Sequence, residues 1–469
     1  MEALESRGRC SLLVGDRAFY RQVMGLLIPM FVQNTVSNVC SLLDNLMVGA
    51  VGAVPMASVA IVNQLLFVFN LCVFGGLSGA GIFSTQYAGA RDMDGVRHCF
   101  RVKLVLVAVI FVCALALLKA FPAELIGLYL RGEGRPEELD ATLALSREYL
   151  SVMVWGLPAF ALSMMYASTL RELGEVRVPM VASVVSILLN VAGNYVLIFG
   201  KFGFPCLGVV GAALATVAAR YLELLINLAY THLHPSSFPF IVGAYRTLAI
   251  PRTLALHICQ RGVPLLLNEL CWSVSMAVLL QCYSLRGLHV ITAVNIAMTV
   301  AMIFNCAFFS MGGAVSVMVG HELGAGRLQE SRSLAWRLIW LTVELGVAMA
   351  ALTCLCAPYV PQLYDIDDAT RHLATNLLLL GTTVVPLRAF AHASYFVIRS
   401  GGRSGITFLL DSGYNWLVTV SVTAGIGYLT DWGILPFYLL SQWSDGLKAL
   451  VAAAIVRSGV WIRNIVAHE

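Results

Sequence analysis

The run Val102–Leu118, VKLVLVAVIFVCALALL, carries one charge, Lys103, in 17 residues. A transmembrane helix needs about 20 mostly apolar residues, and comparable runs recur at Val347–Val360 and Leu447–Val456. Across the 469 residues, 59% are hydrophobic and 12% charged, which leaves too little polar surface to cover a water-soluble fold. The chain therefore reads as an all-α integral membrane protein whose solvent is the lipid bilayer, with about twelve transmembrane helices and short loops. The spans are expected at 20–48, 55–88, 98–121, 144–170, 178–200, 208–233, 254–284, 290–320, 332–358, 370–398, 405–429 and 434–460.

The first twenty residues carry Glu2, Glu5, Arg7, Arg9, Asp16 and Arg17 without an uninterrupted apolar core, so no cleaved signal peptide is expected. The twelve cysteines lie mostly in apolar segments, as at Cys72, Cys113, Cys306 and Cys354, with no Cys-x-x-C pair. They read as small core hydrophobes, and neither disulfides nor a metal centre is expected. Placed on the loops, the charges are unequal. Arg91, Arg97, Arg101, Lys103, Arg171, Arg177, Arg246, Arg252, Arg261, Arg327, Arg332, Arg337, Arg399 and Arg403 fall after even-numbered spans and their flanks. The opposite side holds Lys119, Arg131, Arg135, Arg147, Lys201, Arg286 and Arg371. Basic loops stay in the cytoplasm, so both termini are expected inside and the number of spans even.

The chain repeats itself. Pro29 returns as Pro264, Phe69-Asn70 as Phe304-Asn305 and Gly89-Ala90 as Gly324-Ala325, each 235 residues on. Pro158, Arg171 and Gly174 return as Pro386, Arg399 and Gly402 at 228. Apolar matches would mean little here. Helix-bending prolines, loop glycines and buried polar residues at one offset indicate duplication, and an even span offset gives both halves the same orientation. The expected architecture is two six-helix bundles related by a pseudo-twofold axis along the membrane normal. The organisation read from the sequence is a cytoplasmic segment 1–19, a lobe 20–235, a cytoplasmic linker 236–253 marked by Pro239 and Pro251, a lobe 254–461 and a cytoplasmic tail 462–469. Two bundles with a cavity between them suit a transporter that opens alternately to either side; a duplicated channel or receptor is the alternative.

Ionisable residues in spans are costly and mark function. In the first span Gln33, Ser37, Ser41 and Asp44 share a helix face that should look into a cavity. Ser183, Ser186, Asn190 and Asn194 do the same in the fifth, and Thr216 lies in the small-residue stretch Gly211-Ala-Ala-Leu-Ala-Thr216. Asp44, Asn190, Asn194 and Thr216 could together offer one carboxylate and several neutral oxygens to a small hard cation such as Na+, or Asp44 alone could hold a proton. A polar network that only joins helices is the plainer reading. The second half offers Glu269 on the seventh span and Arg388, His392, Tyr395 and Arg399 on the tenth. Arg388 should pair with Glu269 or Asp411, unless Glu269 binds a cationic substrate. Arg220 with Glu223, and Asp445 with Lys448, are i, i+3 pairs at equivalent places with signs reversed, expected to be structural. At the place of Asp44 the second half has Leu279, so the scaffold repeats while its ionisable chemistry does not.

From about Tyr20 to Asn464 the chain resembles the multidrug and toxic compound extrusion (MATE) family, in the superfamily that includes polysaccharide and lipid-linked flippases. The resemblance rests on Pro29 with Leu42-Leu-Asp44-Asn-Leu-Met-Val-Gly49, and on Gln86-Tyr-Ala-Gly-Ala-Arg91, echoed by His321-Glu-Leu-Gly-Ala-Gly-Arg327. It rests also on Arg171-Glu-Leu-Gly174, Leu189-Asn-Val-Ala-Gly-Asn194 and Arg399-Ser-Gly-Gly402. It implies export of cationic amphipathic compounds in exchange for H+ or Na+, with the coupling cation at Asp44, Asn190, Asn194 and Thr216. It implies no enzyme activity, no cofactor, no nucleic-acid partner, a monomer and a bacterial or archaeal plasma membrane. Some members have aspartate at the place of Asn194, and others a glutamate at about the place of Trp272. A flippase for a lipid-linked oligosaccharide or lipid is the rival within the superfamily. No nucleotide-binding glycine loop or metal motif is present to support an enzyme.

Overall fold

The computed structural model describes residues 15–130, 136–364 and 366–467, so Arg131 and Arg135 lie outside them. The described residues form helices, with no strand among them. In chain order these are α1 (Arg17–Gly49), α2 (Ala53–Gly89), α3 (Met93–Ala120), α4 (Pro122–Gly127), α5 (Pro136–Met153), α6 (Leu157–Glu172), α7 (Arg177–Phe199) and α8 (Gly208–Leu233). There follow α9 (Arg252–Ser284), α10 (Leu288–Gly324), α11 (Leu328–Cys356), α12 (Asp368–Thr382), α13 (Val385–Ser400), α14 (Ser404–Phe408), α15 (Ser421–Leu429), α16 (Ile434–Gly446) and α17 (Lys448–Ser458).

With α5 and α6 taken as one stretch, nine helices among the described residues are long and apolar enough to cross a membrane, and α12 with α13, bent by 52°, makes a tenth. The last two expected spans fall on interrupted helices. Two π-helical segments, Leu409–Gly413 and Asn415–Val420, separate α14 from α15, and the chain breaks at Leu447 between α16 and α17. The repeated prolines act in pairs. Pro29 and Pro264 lie inside α1 and α9. Pro158 and Pro386 occupy the first turns of α6 and α13, where a missing N–H leaves no helical bond unmade and the preceding helix ends.

Packing divides the chain into two compact units, one of Val32–Ser84 with Met93–Gly262, the other of the residues to Phe31, Thr85–Asp92 and those from Val263 onward. In the first, α7 lies along α8. A methyl group on Gly211 would meet the Leu197 backbone at 2.6 Å, and one on Gly193 would meet Ala215 at 3.0 Å, so small residues set how closely the two helices approach. The interdomain linker read from the sequence is fastened down in this unit. Arg101 donates to the carbonyls of Gly243, Ala244 and Ala249 at 2.9 to 3.0 Å, and Arg97 Nε to that of Phe240 at 3.1 Å. Phe240 is fully buried, its ring 5.3 Å from that of Phe100. Two of the loop cations thus bind carbonyls.

In the other unit the repeated glycine motifs meet each other. A methyl group on Gly89 would collide with the His321 backbone, and one on Gly324 with the Gln86 backbone. The C-terminal segment from residue 462, read from the sequence as a cytoplasmic tail, is held there too. Gln86 donates to Ser400 O at 2.8 Å and accepts from Ile465 N at 2.8 Å, Asn464 donates to Gly324 O at 3.1 Å, and Trp461 is fully buried. Because backbone cannot move aside as a flexible side chain can, Gly89→Ala and Gly324→Ala should each cost roughly 1–3 kcal/mol. The check is the unfolding temperature of the purified protein in detergent. Gly405→Ala, whose added methyl meets nothing, should leave that temperature unchanged or raise it.

Candidate functional site

In the first unit, α1, α7 and α8 bring the expected cluster together. Asn194 Nδ2 donates to Asp44 Oδ1 at 2.7 Å. Asn190 lies between Asp44 and Thr216, with one amide atom 3.1 Å from Thr216 Oγ1 and the other 2.9 Å from Asp44 Oδ1. Facing an ionised carboxylate, the atom near Asp44 has to be the nitrogen, and Thr216 then lies at the amide oxygen. A protonated carboxyl both donates and accepts, so it can meet either amide atom: the oxygen, by donating its proton, or the nitrogen, by accepting. The Asn194 oxygen is buried and has no hydrogen-bond partner among the described residues. Cys40, which sequence reasoning passed over, lies one turn before Asp44, its Sγ 3.8 Å from Asp44 Oδ2 and 3.5 Å from the Asn190 amide atom that faces Asp44.

Asp44, Asn194 and Thr216 line a cavity of about 350 Å3. Ser41 lines it as expected, but Gln33 and Ser37, about two turns and one turn earlier on α1, do not. The stripe on α1 thus reaches the cavity over its last turn only. Asn45 on α1, Asn63, Phe67 and Asn70 on α2, Tyr149, Phe160 and Arg220 complete the polar and aromatic wall. The α2 asparagines had a legible signal, two amides seven residues apart on one helix face. Arg220 does contact Glu223, at 3.4 Å, yet it also faces this cavity, which the pairing read from the sequence did not foresee.

The donors suit a small hard cation: a carboxylate, two side-chain amides and a hydroxyl, one of the amide oxygens otherwise unsatisfied. Among the described residues no group of three or more His, Cys, Asp or Glu side chains could hold a metal ion.

The second unit corrects the expected pairing of Arg388. Its Nε lies 2.8 Å from Asp445 Oδ2, so its partner is neither Glu269 nor Asp411. Asp411 is taken by Lys448, at 2.9 Å, and Lys448 reaches Asp445 only at 3.5 Å. Asn268 Nδ2 donates to Asp411 Oδ2 at 2.9 Å, and Asn268 Oδ1 accepts from Ser412 N at 3.2 Å and Ser412 Oγ at 2.8 Å. Two cations and two carboxylates thus neutralise one another across α13, the π-helical segment, α16 and α17. The charged neighbours of Glu269 are Arg399 and Asp411. His392 sits among the rings of Phe308, Phe309 and Phe396, its Nε2 3.3 Å from Phe309 O. Trp272 is partly exposed.

Sequence reasoning placed Lys103 among loop cations. It is fully buried, 2.6 Å from Glu172, with Ser168 Oγ and Thr169 Oγ1 at 3.2 and 3.0 Å. Its place at the head of the apolar run Val102–Leu118 was the available signal.

Removing one member of a buried ion pair strands the other, at a cost of about 3–5 kcal/mol, whereas removing both costs far less. Lys448→Met should therefore lower the unfolding temperature in detergent, and adding Asp411→Leu should recover part of the loss. A double variant less stable than the single would contradict the pairing.

The MatE family model matches twice, over residues 29–196 and 264–411, more than half of the chain. The two matches begin at Pro29 and Pro264, the offset of the internal repeat. The chain is 25% identical over 364 residues to the probable multidrug resistance protein YoeA of Bacillus subtilis, covering 77% of each. It is 26% identical over 447 residues to the multidrug resistance protein PmpM of Pseudomonas aeruginosa, covering 94% of this chain and 90% of that one. Among solved structures it is similar to a multidrug resistance MATE family transporter in an outward-facing conformation, with TM-score 0.82, 19% identity and coverage of 96% and 98%. It is also similar to a MOP superfamily transporter from Pyrococcus furiosus, with TM-score 0.81, 20% identity and coverage of 95% and 96%.

Proposed function

The chain belongs to the MatE family of multi-pass membrane transporters, and from that premise we propose that it is an antiporter exporting cationic amphipathic compounds in exchange for H+ or Na+. The observation that carries this is Asp44, set in a cavity of about 350 Å3 beside a buried Asn194 oxygen that has no partner among the described residues. Asn190 serves either state of the carboxyl: its amide nitrogen meets the ionised form, and either amide atom meets the protonated form.

Asp44 has one charge to give. Neutralised by the coupling cation it no longer attracts a cationic cargo; released, it does. That exclusion is a coupling free energy between two ligands, and it makes exchange obligatory. A one-for-one exchange with a monovalent cationic cargo moves no net charge, so the coupling ion's concentration gradient is the driving force: a tenfold ion gradient, about 1.4 kcal/mol, sustains a tenfold cargo gradient. The protein acts as a monomer in a bacterial or archaeal plasma membrane with both termini in the cytoplasm, and needs no cofactor. Flipping of a lipid-linked anionic substrate is disfavoured because Arg388 and Lys448, the cations that would serve it, each lie within 2.9 Å of a carboxylate.

The test uses the full chain purified into liposomes, with uptake of ethidium driven by an imposed pH or Na+ gradient. Asp44→Asn is expected to abolish gradient-driven uptake, and the gradient that drives the native protein identifies the ion. Undiminished, ion-dependent uptake by Asp44→Asn would refute the assignment. Competition by an anionic glycolipid in place of organic cations would favour the flippase.

A further inference from the structure

Two helix stripes on the surface of the second unit end in arginine at one place. On α11, Arg332, Trp336 and Trp340 recur at spacings of four and share a face. Arg332 and Trp340 are exposed and Trp336 is half-buried. On α17, Leu450, Ala454 and Arg457 recur at spacings of four and three, and all are exposed. The two arginine ends meet, because Arg332 Nη2 donates to the Arg457 carbonyl at 3.2 Å. Arg403, just before α14, donates from Nε to the carbonyl of Val460 at 3.1 Å. Arg463 follows on the same segment and is exposed.

The end of a helix presents unpaired carbonyls that attract cations, and one N–H each from Arg332 and Arg403 meets that need at the end of α17. A guanidinium has five donors, so most of them remain for another acceptor. Among the described residues no carboxylate is paired with Arg332, Arg403, Arg457 or Arg463. The acidic side chains where α10 ends and α11 begins, Glu322 and Glu330, are both held by Arg327, at 2.6 and 3.2 Å. The junction thus carries an unanswered positive charge. A general bias of basic residues toward one side of the membrane accounts for arginines near helix ends, but not for their convergence on the segment 457–463. From each arginine the stripe continues into indole rings on α11 and into alanine and leucine on α17. Charge, then aromatic ring, then aliphatic surface is the order of headgroup, interface and acyl chain in a lipid leaflet.

We propose that the junction of α11 and α17 binds an anionic phospholipid, its phosphate taken by Arg332 and Arg457 and its acyl chains laid along Trp336, Trp340 and Leu450. Arg403 and Arg463 add positive potential around the phosphate. The group recognised is a phosphodiester anion, and the apolar stripes below the arginines commit the site to a lipid in preference to free phosphate. The site belongs wholly to the second unit and does not depend on what Asp44 binds.

The experiment is native mass spectrometry of the full chain, delipidated in detergent and titrated with phosphatidylglycerol or with phosphatidylcholine of the same acyl chains. The native protein is expected to bind the anionic lipid about tenfold more tightly; equal affinities would overturn the proposal. Arg332→Gln combined with Arg457→Gln should remove most of that preference and leave phosphatidylcholine binding unchanged, which also shows that the variant is folded. Parallel loss of both lipids would overturn the assignment. Arg332→Lys combined with Arg457→Lys should retain part of the preference. Arg147→Gln combined with Arg246→Gln removes the same charge from other exposed positions and should retain all of it. An equal loss there would reduce the preference to net charge and sink the site. Inorganic phosphate should not displace the bound lipid; displacement would make this a free-phosphate site instead.

Discussion

A charge carried into an apolar interior has to be met there, by an opposite charge, by dipoles or by a ligand, and the architecture of this chain follows from how each one is met. Lys103 has Glu172 and two hydroxyls. Arg388 and Lys448 have Asp445 and Asp411. Arg97 and Arg101 have backbone carbonyls of the linker. Against that background Asp44 and Arg220 stand apart, because neutral amides surround the first and one long contact serves the second. Function is sought where a charge is incompletely answered, and both such charges lie on one cavity wall.

The asymmetry between halves acquires a physical sense from this. The duplicated scaffold keeps its helix-breaking prolines and its close glycine contacts, since those are set by backbone geometry and do not depend on what is carried. The ionisable groups are free to diverge. Around Asp44 the wall remains open to a cavity, while in the second half the π-helical segment that bears Asp411 is bound to α9 through Asn268 and Ser412 and to α17 through Lys448. A charge network closed on itself rigidifies and specifies; a charge left open binds.

Much of this was legible in the sequence. Asp44, Asn190, Asn194 and Thr216 stood out because polar residues in apolar runs are few, and helical spacing placed them on common faces. Spacing along one helix, however, reports only i, i+3 and i+4 neighbours. It could not find Asp445 as the partner of Arg388, 57 residues away. It also offered Glu223 as a sufficient partner for Arg220, which concealed the cavity-facing role. The burial of Lys103 did not show, because counting basic residues near a span end treats a buried cation and a loop cation alike. The interruption of the eleventh expected span was illegible for a different reason: a π turn adds a residue to the helix turn without altering composition or hydropathy.

The contact of the two glycine motifs runs both ways. Gly89 packs on the backbone at His321 and Gly324 on the backbone at Gln86, so each motif touches the other as the other touches it. Such reciprocity, patch i on j and j on i, defines an isologous interface between identical subunits. The chain therefore makes within itself the two-way contact that identical subunits make between copies, and neither glycine can gain a side chain without meeting the other motif's backbone.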